Sequence, residues 1–355
     1  MNKRLLNHFW VSSSGNPKPV LSMVEGSAIQ NPKWVGLVAF VVAFVVCGAV
    51  ADAQQVKSPR IGQLSTSHPA SSGAREFLER ELRLVGYVVG KNIAIEFRYA
   101  ENKLDRLQAL AEELVALRVD VIVAGTTPGA LAAKNATRTI PIVFHSVSDP
   151  IAVGLINSLA RPGGNLTGIT DIGAVLAGKR LELLKETVPK VSRIAVLWDP
   201  QHSSSVQEWK ENQLVARELG LELHSMAVSS PEKYAAAFKE TILARSGALA
   251  VTGHSLAVAN QKQIAELAIK NRLPAIYHRA DFVASGGLMS YGPHRAEQDR
   301  RVAVMVDKIL KGTRPGEIPV EQPMKFDFIV NLKTAKQIGL TMPQWTLMKA
   351  DRVIK

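Results

Sequence analysis

The sequence predicts an α/β fold made of two doubly wound lobes. Short apolar runs alternate with stretches of helical periodicity from Pro59 onward. The alternation restarts near Gly178 with a second set of similar size. The length of 355 residues also fits two domains. Strands spaced by helical patterns give a parallel sheet with helices on both faces.

Each element follows from its own pattern. Arg60–Leu64 (RIGQL) reads as a strand, and Ala74–Val85 carries its apolar residues at helical spacing. Ile93–Tyr99 alternates as a strand, Leu104–Leu117 is helical and Val119–Gly125 (VDVIVAG) is a buried strand. Pro128–Thr137 is a helix; Ile140–Phe144 and Leu166–Ile169 are strands. The second set opens with a helix over Gly178–Thr187 and a strand over Ile194–Trp198. Ser205 then begins a helix, with Glu208 at the position of a capping-box partner. Leu221–Ala227, Ala248–Thr252 and Ala275–Tyr277 are strands, separated by helices over Pro231–Ala244 and Asn260–Asn271. Gly287–Tyr291, a helix over Ala296–Leu310, a loop at Gly312–Gly316, a strand over Met324–Val330 and a short helix over Lys333–Gly339 come last. Elements that follow both sets require the chain to cross between lobes several times.

Composition removes several function classes. The chain is 46% hydrophobic and 21% charged, which is ordinary globular usage. The net charge is +12, yet the sequence has no Lys/Arg block, no interleaving of basic and aromatic residues and no nucleic-acid-binding motif. We therefore expect no nucleic-acid partner. Cys47 is the only cysteine and lies in the stretch read below as a removable leader, so no disulfide framework, thiolate metal cluster or cysteine nucleophile is expected.

Residues 1–53 read as an N-terminal extension and signal peptide. Trp34–Ala51 is uninterrupted by charge, Lys33 precedes it, and Ala49-Val50-Ala51 and Ala51-Asp52-Ala53 both fit the A-x-A cleavage pattern. The long polar lead makes Met23 an alternative start. A run of about 18 residues just spans a bilayer, so an uncleaved anchor is the second reading. Lipid attachment at Cys47 is disfavoured, because Val46 stands where a small residue is needed. The expected location is periplasmic or otherwise extracytoplasmic.

In open α/β sheets, ligands bind beyond the carboxyl ends of the strands. The turns there hold Ser65, Thr66 and Ser67; Thr126 and Thr127; Ser146 and Asp149; Asp199, Ser203 and Ser204; and Gly253 and His254. Two lobes facing each other would bring these turns to one cleft.

Several segments then carry a resemblance. ARPGGNLTGIT over Ala160–Thr170 resembles the most characteristic stretch of the tryptophan/tyrosine-type ABC-transporter substrate-binding proteins. GKRLELLK from Gly178, LPAIY from Leu273, GGLMSYGP from Gly286, DKILKG from Asp307 and NLKTAK from Asn331 continue it in order, over roughly Arg60 to Ile354. The resemblance implies a type-I periplasmic-binding-protein fold, two Rossmann-like lobes joined by three crossovers. It places one lobe at 54–170 plus 290–322 and the other at 171–289 plus 323–355. It also implies capture of a small-molecule ligand, an amino acid and an aromatic one above all, for ABC permease and ATPase subunits. A monomer without cofactor is expected. Gly253-His254-Ser255 departs from the acidic or aromatic turn that relatives often carry there, which leaves ligand identity open.

Within such a cleft, Thr127 followed by Pro128 reads as an N-cap and first helical residue, an anion-binding start for a ligand carboxylate. Asp149, Asp171 and Asp199 are candidates for a ligand ammonium, although Asp149-Pro150 and Asp199-Pro200 are also turn signals. Tyr277, Tyr291 and Phe144 are candidates to enclose a ring, with Phe144 more naturally a core residue. His68, His145, His202, His254 and His278 fall on strand-end loops, but no short histidine pair supports a metal. Dinucleotide, phosphate-loop, serine-elbow and zinc-protease motifs are all absent, so catalysis is not expected. Two other functions stay open at this stage: a ligand-sensing module for a membrane receptor or kinase, and an exported enzyme on the same frame.

Overall fold

The computed structural model describes residues 58–69 and 73–355, and the expected leader lies outside them. The first sheet holds β1 (Arg60–Ser65), β2 (Ala94–Tyr99), β3 (Val121–Gly125), β4 (Ile142–Val147) and β5 (Leu166–Thr170). Their order is β2-β1-β3-β4-β5 and every pairing is parallel. Both faces are covered, as a parallel sheet requires. Ile122 and Ala124 pack under helices α2 (Leu107–Ala116) and α3 (Thr126–Ala136). Val121 and Val123 point the other way, against α1 (Ala74–Leu84) and the late helix Arg295–Leu310. This two-residue alternation sorts one β-branched run between two cores.

The second set supplies α4 (Gly173–Thr187), β6 (Arg193–Trp198), α5 (Ser203–Glu218), β7 (Glu222–Ala227), α6 (Tyr234–Leu243) and β8 (Ala248–Val251). It continues with α7 (Ser255–Ala259), α8 (Gln261–Lys270), β9 (Ala275–Tyr277), α9 (Ala280–Ala284) and β10 (Met289–Pro293). The late helix Arg295–Leu310 is α10. After it come β11 (Phe326–Asn331), α11 (Leu332–Ile338), α12 (Gln344–Lys349) and β12 (Arg352–Ile354). The seven strands order as β12-β11-β10-β9-β8-β6-β7, with β10 and β11 antiparallel. Ile194 and Val196 face one core and Ala195 and Leu197 the other.

The chain passes between the sheets three times. It leaves the first between Thr170 and Gly173, re-enters at α10 and leaves again between Glu321 and Phe326. The third passage lies along β5: the Thr170 N–H donates to the Glu321 carbonyl at 3.0 Å, and the Thr167 hydroxyl donates to the Ile318 carbonyl at 2.8 Å. The second passage falls at His294 rather than residue 290. β10 stays in the second sheet because Met289 and Ser290 pair with Ile276 and Tyr277 on one side and with Val330 and Ile329 on the other.

Candidate ligand-binding cleft

The carboxyl ends of β1, β3 and β4 face those of β6, β8 and β9 across a cavity of about 170 Å³. On the first lobe its wall includes Gln63, Ser65, Thr66, Ser67, Phe77, Thr126, His145 and Ser146. Thr126 (φ 66°) and Ser146 (φ 55°) hold left-handed backbone, which is costly for residues with a side chain. At Thr126 the strand turns into α3 with no intervening loop. The Thr126 hydroxyl is left buried with no hydrogen-bond partner.

On the second lobe, an ion pair fixes the wall. Arg180 of α4 and Glu208 of α5 are both buried and meet at 2.6 Å. Arg180 also donates to the Gly173 carbonyl at 3.2 Å, and the Gly253 N–H donates to both Glu208 oxygens at 3.1 Å. Burial pushes the Glu208 carboxyl up to about 7, against the opposing pull of Arg180. Gly292 closes the wall from β10. A Cβ there would stand 2.1 Å from the His278 carbonyl oxygen, so only glycine fits.

Asp171 sits where the first passage meets the cavity. Burial raises its pKa, and it accepts the Gly173 N–H at 3.0 Å. Among the described residues it forms no salt bridge with lysine or arginine. Arg279 and Arg295, also on the wall, are paired with Asp281 and Asp299.

Four histidines complete the lining, His202 and His254 buried and His145 and His278 half-buried. Burial lowers His145 to about 3, His202 to about 4 and His254 to about 3, and holds His278 well below its usual value. All four are neutral at pH 7. The Nε2 atoms of His145, His202 and His254 and the Nδ1 of His278 are buried and unpartnered. Among the described residues no cluster has the geometry of a metal site. Unpaired buried polar atoms are rare in folded proteins, and here several belong to residues that line one cavity.

The structure brings together Ser65, Thr66, Ser67, Thr126, Ser146, Asp171, Ser204, Gly253 and His254 on this wall. The other expected residues do not line it. Thr127 is fully buried and is not the N-cap, because the left-handed turn at Thr126 starts the helix two residues earlier and Gly125 takes that place without a side-chain bond. Asp149 accepts the N–H groups of Ile151 and Ala152, and Asp199 accepts that of Gln201, so both carboxylates bond their own turns. Ser203 stands at the start of α5, off the wall. Tyr277 is buried against Phe282 at 4.7 Å, and Tyr291 stacks on Phe326 at 5.9 Å. Phe144 is a core residue. The capping box does not form: the Ser205 hydroxyl pairs with Thr252 at 2.6 Å, and Glu208 turns to Arg180. Strand-end reasoning misses Arg180, Glu208 and Phe77 because all three lie inside helices. It notes His202 and His278 only as metal candidates.

A family model described as ABC transporter substrate binding protein matches residues 63–354. The chain belongs to this family. It is 29% identical over 289 residues to a tyrosine-binding protein of Clostridioides difficile (strain R20291), covering 81% of this chain and 83% of that one. A solved ABC domain in complex with L-Trp from Streptococcus pneumonia is 26% identical with a TM-score of 0.77, covering 84% of this chain and all of that one. A ligand-free, open substrate-binding protein with adhesive properties from Clostridium difficile is 28% identical with a TM-score of 0.61, covering 84% of this chain and 99% of that one. This substrate-binding protein has the type-I periplasmic-binding-protein fold and captures a small solute for an ABC importer. Its family works outside the cytoplasm and is one of solute binders, not of enzymes. Among the described residues no helix is long and apolar enough to cross a membrane.

Proposed function

We propose that this substrate-binding protein captures an amino acid with an aromatic side chain and delivers it, as a monomer freed of its leader, to membrane permease and ATPase subunits. One observation carries the reading. Asp171, a wall carboxylate with no lysine or arginine in salt-bridge range among the described residues, shares the cavity with a bank of first-lobe hydroxyls and the start of α3. A zwitterion matches that arrangement. Its ammonium neutralises Asp171, and its carboxylate accepts bonds from Ser65, Thr66, Ser67 and Thr126 near a helix N-terminus. Phe77, Leu176, Val258 and the neutral histidine rings leave room of mixed apolar and polar character for a ring. The printed ligands of the two relatives, tyrosine and L-Trp, support an aromatic amino acid. The higher TM-score with the L-Trp complex than with the ligand-free open protein, at similar identity, supports a closed arrangement of the lobes here. Closure then follows from the ligand's higher affinity for the state in which both walls touch it.

Titration calorimetry with a panel of L-amino acids, on protein stripped of carried-over ligand, tests this. Aromatic members bind, and Asp171→Asn weakens them by about 10- to 100-fold, the loss of one charge-assisted hydrogen bond. No binding by any amino acid, or an unchanged affinity in Asp171→Asn, refutes the reading.

A further inference from the structure

Where the first passage enters α4, the cavity wall carries one carboxylate more than its arginine can answer. Gly173, the first residue of α4, is closely packed there. A Cβ on it would stand 2.9 Å from Glu208 Oε1 and 3.1 Å from Asp171 Oδ1, so those two oxygens are at most about 6 Å apart. The other Glu208 oxygen, Oε2, takes the Arg180 guanidinium at 2.6 Å. Both acids and the arginine belong to the wall. Two carboxylates in one buried corner resist ionising together. A single proton on the pair makes the corner neutral. Burial pushes the Glu208 carboxyl up to about 7, with Arg180 opposing and Asp171 adding to the rise. Burial raises Asp171 as well.

The surrounding groups do not cancel the excess. Glu208 Oε1 and His278 Cδ2 lie 2.8 and 3.4 Å from one Cβ position at Gly253, and burial keeps that ring neutral. His202 and His254 are neutral for the same reason. Arg279, Arg295 and His294 are paired with Asp281, Asp299 and Asp327. On the strands under α5, Arg193, Glu222 and His224 alternate with Ile194 and Leu223, so they point to the opposite core. Lys134 of α3 bonds the Gly154 and Leu155 carbonyls, and Lys179 of α4 pairs with Glu182. On α5 itself Lys210 is exposed, and Glu211, one turn after Glu208, adds to the negative side.

We propose that Asp171 and Glu208 act as one acid pair that accepts the ligand's ammonium in exchange for a proton, so that capture releases H⁺ and strengthens as pH rises. This rests on the amino-acid reading above. Before capture the corner holds a carboxylate, a guanidinium and a carboxylic acid. The ammonium docks on Asp171, the Glu208 O–H bond breaks, and the proton passes to water. Two carboxylates then face two cations, and the corner is neutral again. Glu208 acts through Asp171 and is a positioning residue. An ammonium about 2.8 Å from Asp171 is at most about 9 Å from Glu208 Oε1. A unit charge at that distance, at an effective dielectric constant of about 20, weakens proton binding by about 20-fold. Glu208 is protonated below about pH 7 in the free protein, so affinity is full above that pH and is lost as pH falls through it.

Titration calorimetry with L-tyrosine and L-tryptophan tests this, on purified protein stripped of carried-over ligand. Runs at pH 7 in phosphate and in Tris, whose ionisation enthalpies differ, count the protons released. The wild type releases about half a proton per ligand at pH 7 and binds about 5- to 10-fold tighter at pH 8 than at pH 6. Glu208→Gln keeps the side chain's size and an acceptor for Arg180 but holds no titratable proton. It releases under about 0.1 proton, and its affinity stays within about 2-fold from pH 6 to 8. Its unliganded thermal midpoint reports whether it is folded; if it is not, the wild-type proton count and pH profile decide. Binding by the wild type with no proton release and a flat pH profile, or release that persists in folded Glu208→Gln, overturns the acid pair and leaves the amino-acid reading standing. Failure of both amino acids to bind at any of these pH values overturns both.

Discussion

Replacing Arg180 by leucine strands Glu208 in the second-lobe wall. The carboxylate is 2% exposed at its side chain and would keep only the Gly253 N–H as donor. Breaking a buried ion pair by removing one partner costs about 3–5 kcal/mol. The compact unit Ser58–Lys355 has an unfolding entropy of about 0.6 kcal/mol/K at ordinary per-residue values. The loss is thus about 5–8 °C in Tm. It also depends on pH. Burial raises the Glu208 pKa from 4.5 to about 7 in the folded protein, so the folded state holds this proton more tightly than the unfolded one. The stability this contributes is full below pH 4.5 and is lost as pH rises through about 7. Without Arg180 the pKa climbs further, because the guanidinium is the largest opposing influence. The Tm deficit of Arg180→Leu is therefore smaller at pH 5, where the carboxyl keeps its proton, than at pH 8, where ionisation is forced. Calorimetric scans of wild type, Arg180→Leu and Arg180→Leu/Glu208→Leu at both pH values read this directly. The double variant recovers most of the loss, since it buries no charge. A deficit under 2 °C at both pH values, or a double variant no better than the single one, refutes the reasoning.

Two further outcomes follow from the backbone. Thr126→Gly relieves a left-handed threonine and raises the unliganded Tm by about 1–3 °C, while amino-acid affinity falls several-fold with loss of the hydroxyl; unchanged affinity in calorimetry removes Thr126 from the ligand contacts. Gly292→Ala drives a methyl into the His278 carbonyl and lowers Tm by about 2–5 °C; a scan with no shift shows that β10 yields more easily than its pairing with β9 implies.

The fold is legible in the sequence wherever a buried strand carries a continuous apolar run. IAVLW and VIVAG have no other reading in a chain of alternating helical patterns, and Ala275–Tyr277 matches the observed β9 in full. Short elements are not legible. Ser255–Ala259, Ala280–Ala284 and Gln344–Lys349 are less than two turns long and show no period. α7 is instead held by the ring of His254 accepting from Ala257, a contact only the folded chain supplies. At the cleft, small polar residues at strand ends are legible because parallel sheets put ligands there. Arg180 and Glu208 are not. Arg180 sits mid-helix and reads as an ordinary surface charge, and Glu208 reads as a capping-box partner, until α4 packs on α5 and buries both. The expected ring-binding tyrosines fail for a related reason. A tyrosine at a strand terminus points to whichever side alternation dictates, and for Tyr277 that is the core beside Phe282.

The return of α10 to the first lobe has a consequence for synthesis. Val302, Ala303, Met305 and Val306 fill the same core as Ile61, Phe77 and Val121. One side of the first sheet is therefore covered by α1 alone on the ribosome until Arg295–Leu310 has been translated. Contacts so distant along the chain form slowly. In a family that works outside the cytoplasm, late closure of the leading half prolongs the time for which the nascent chain stays loose.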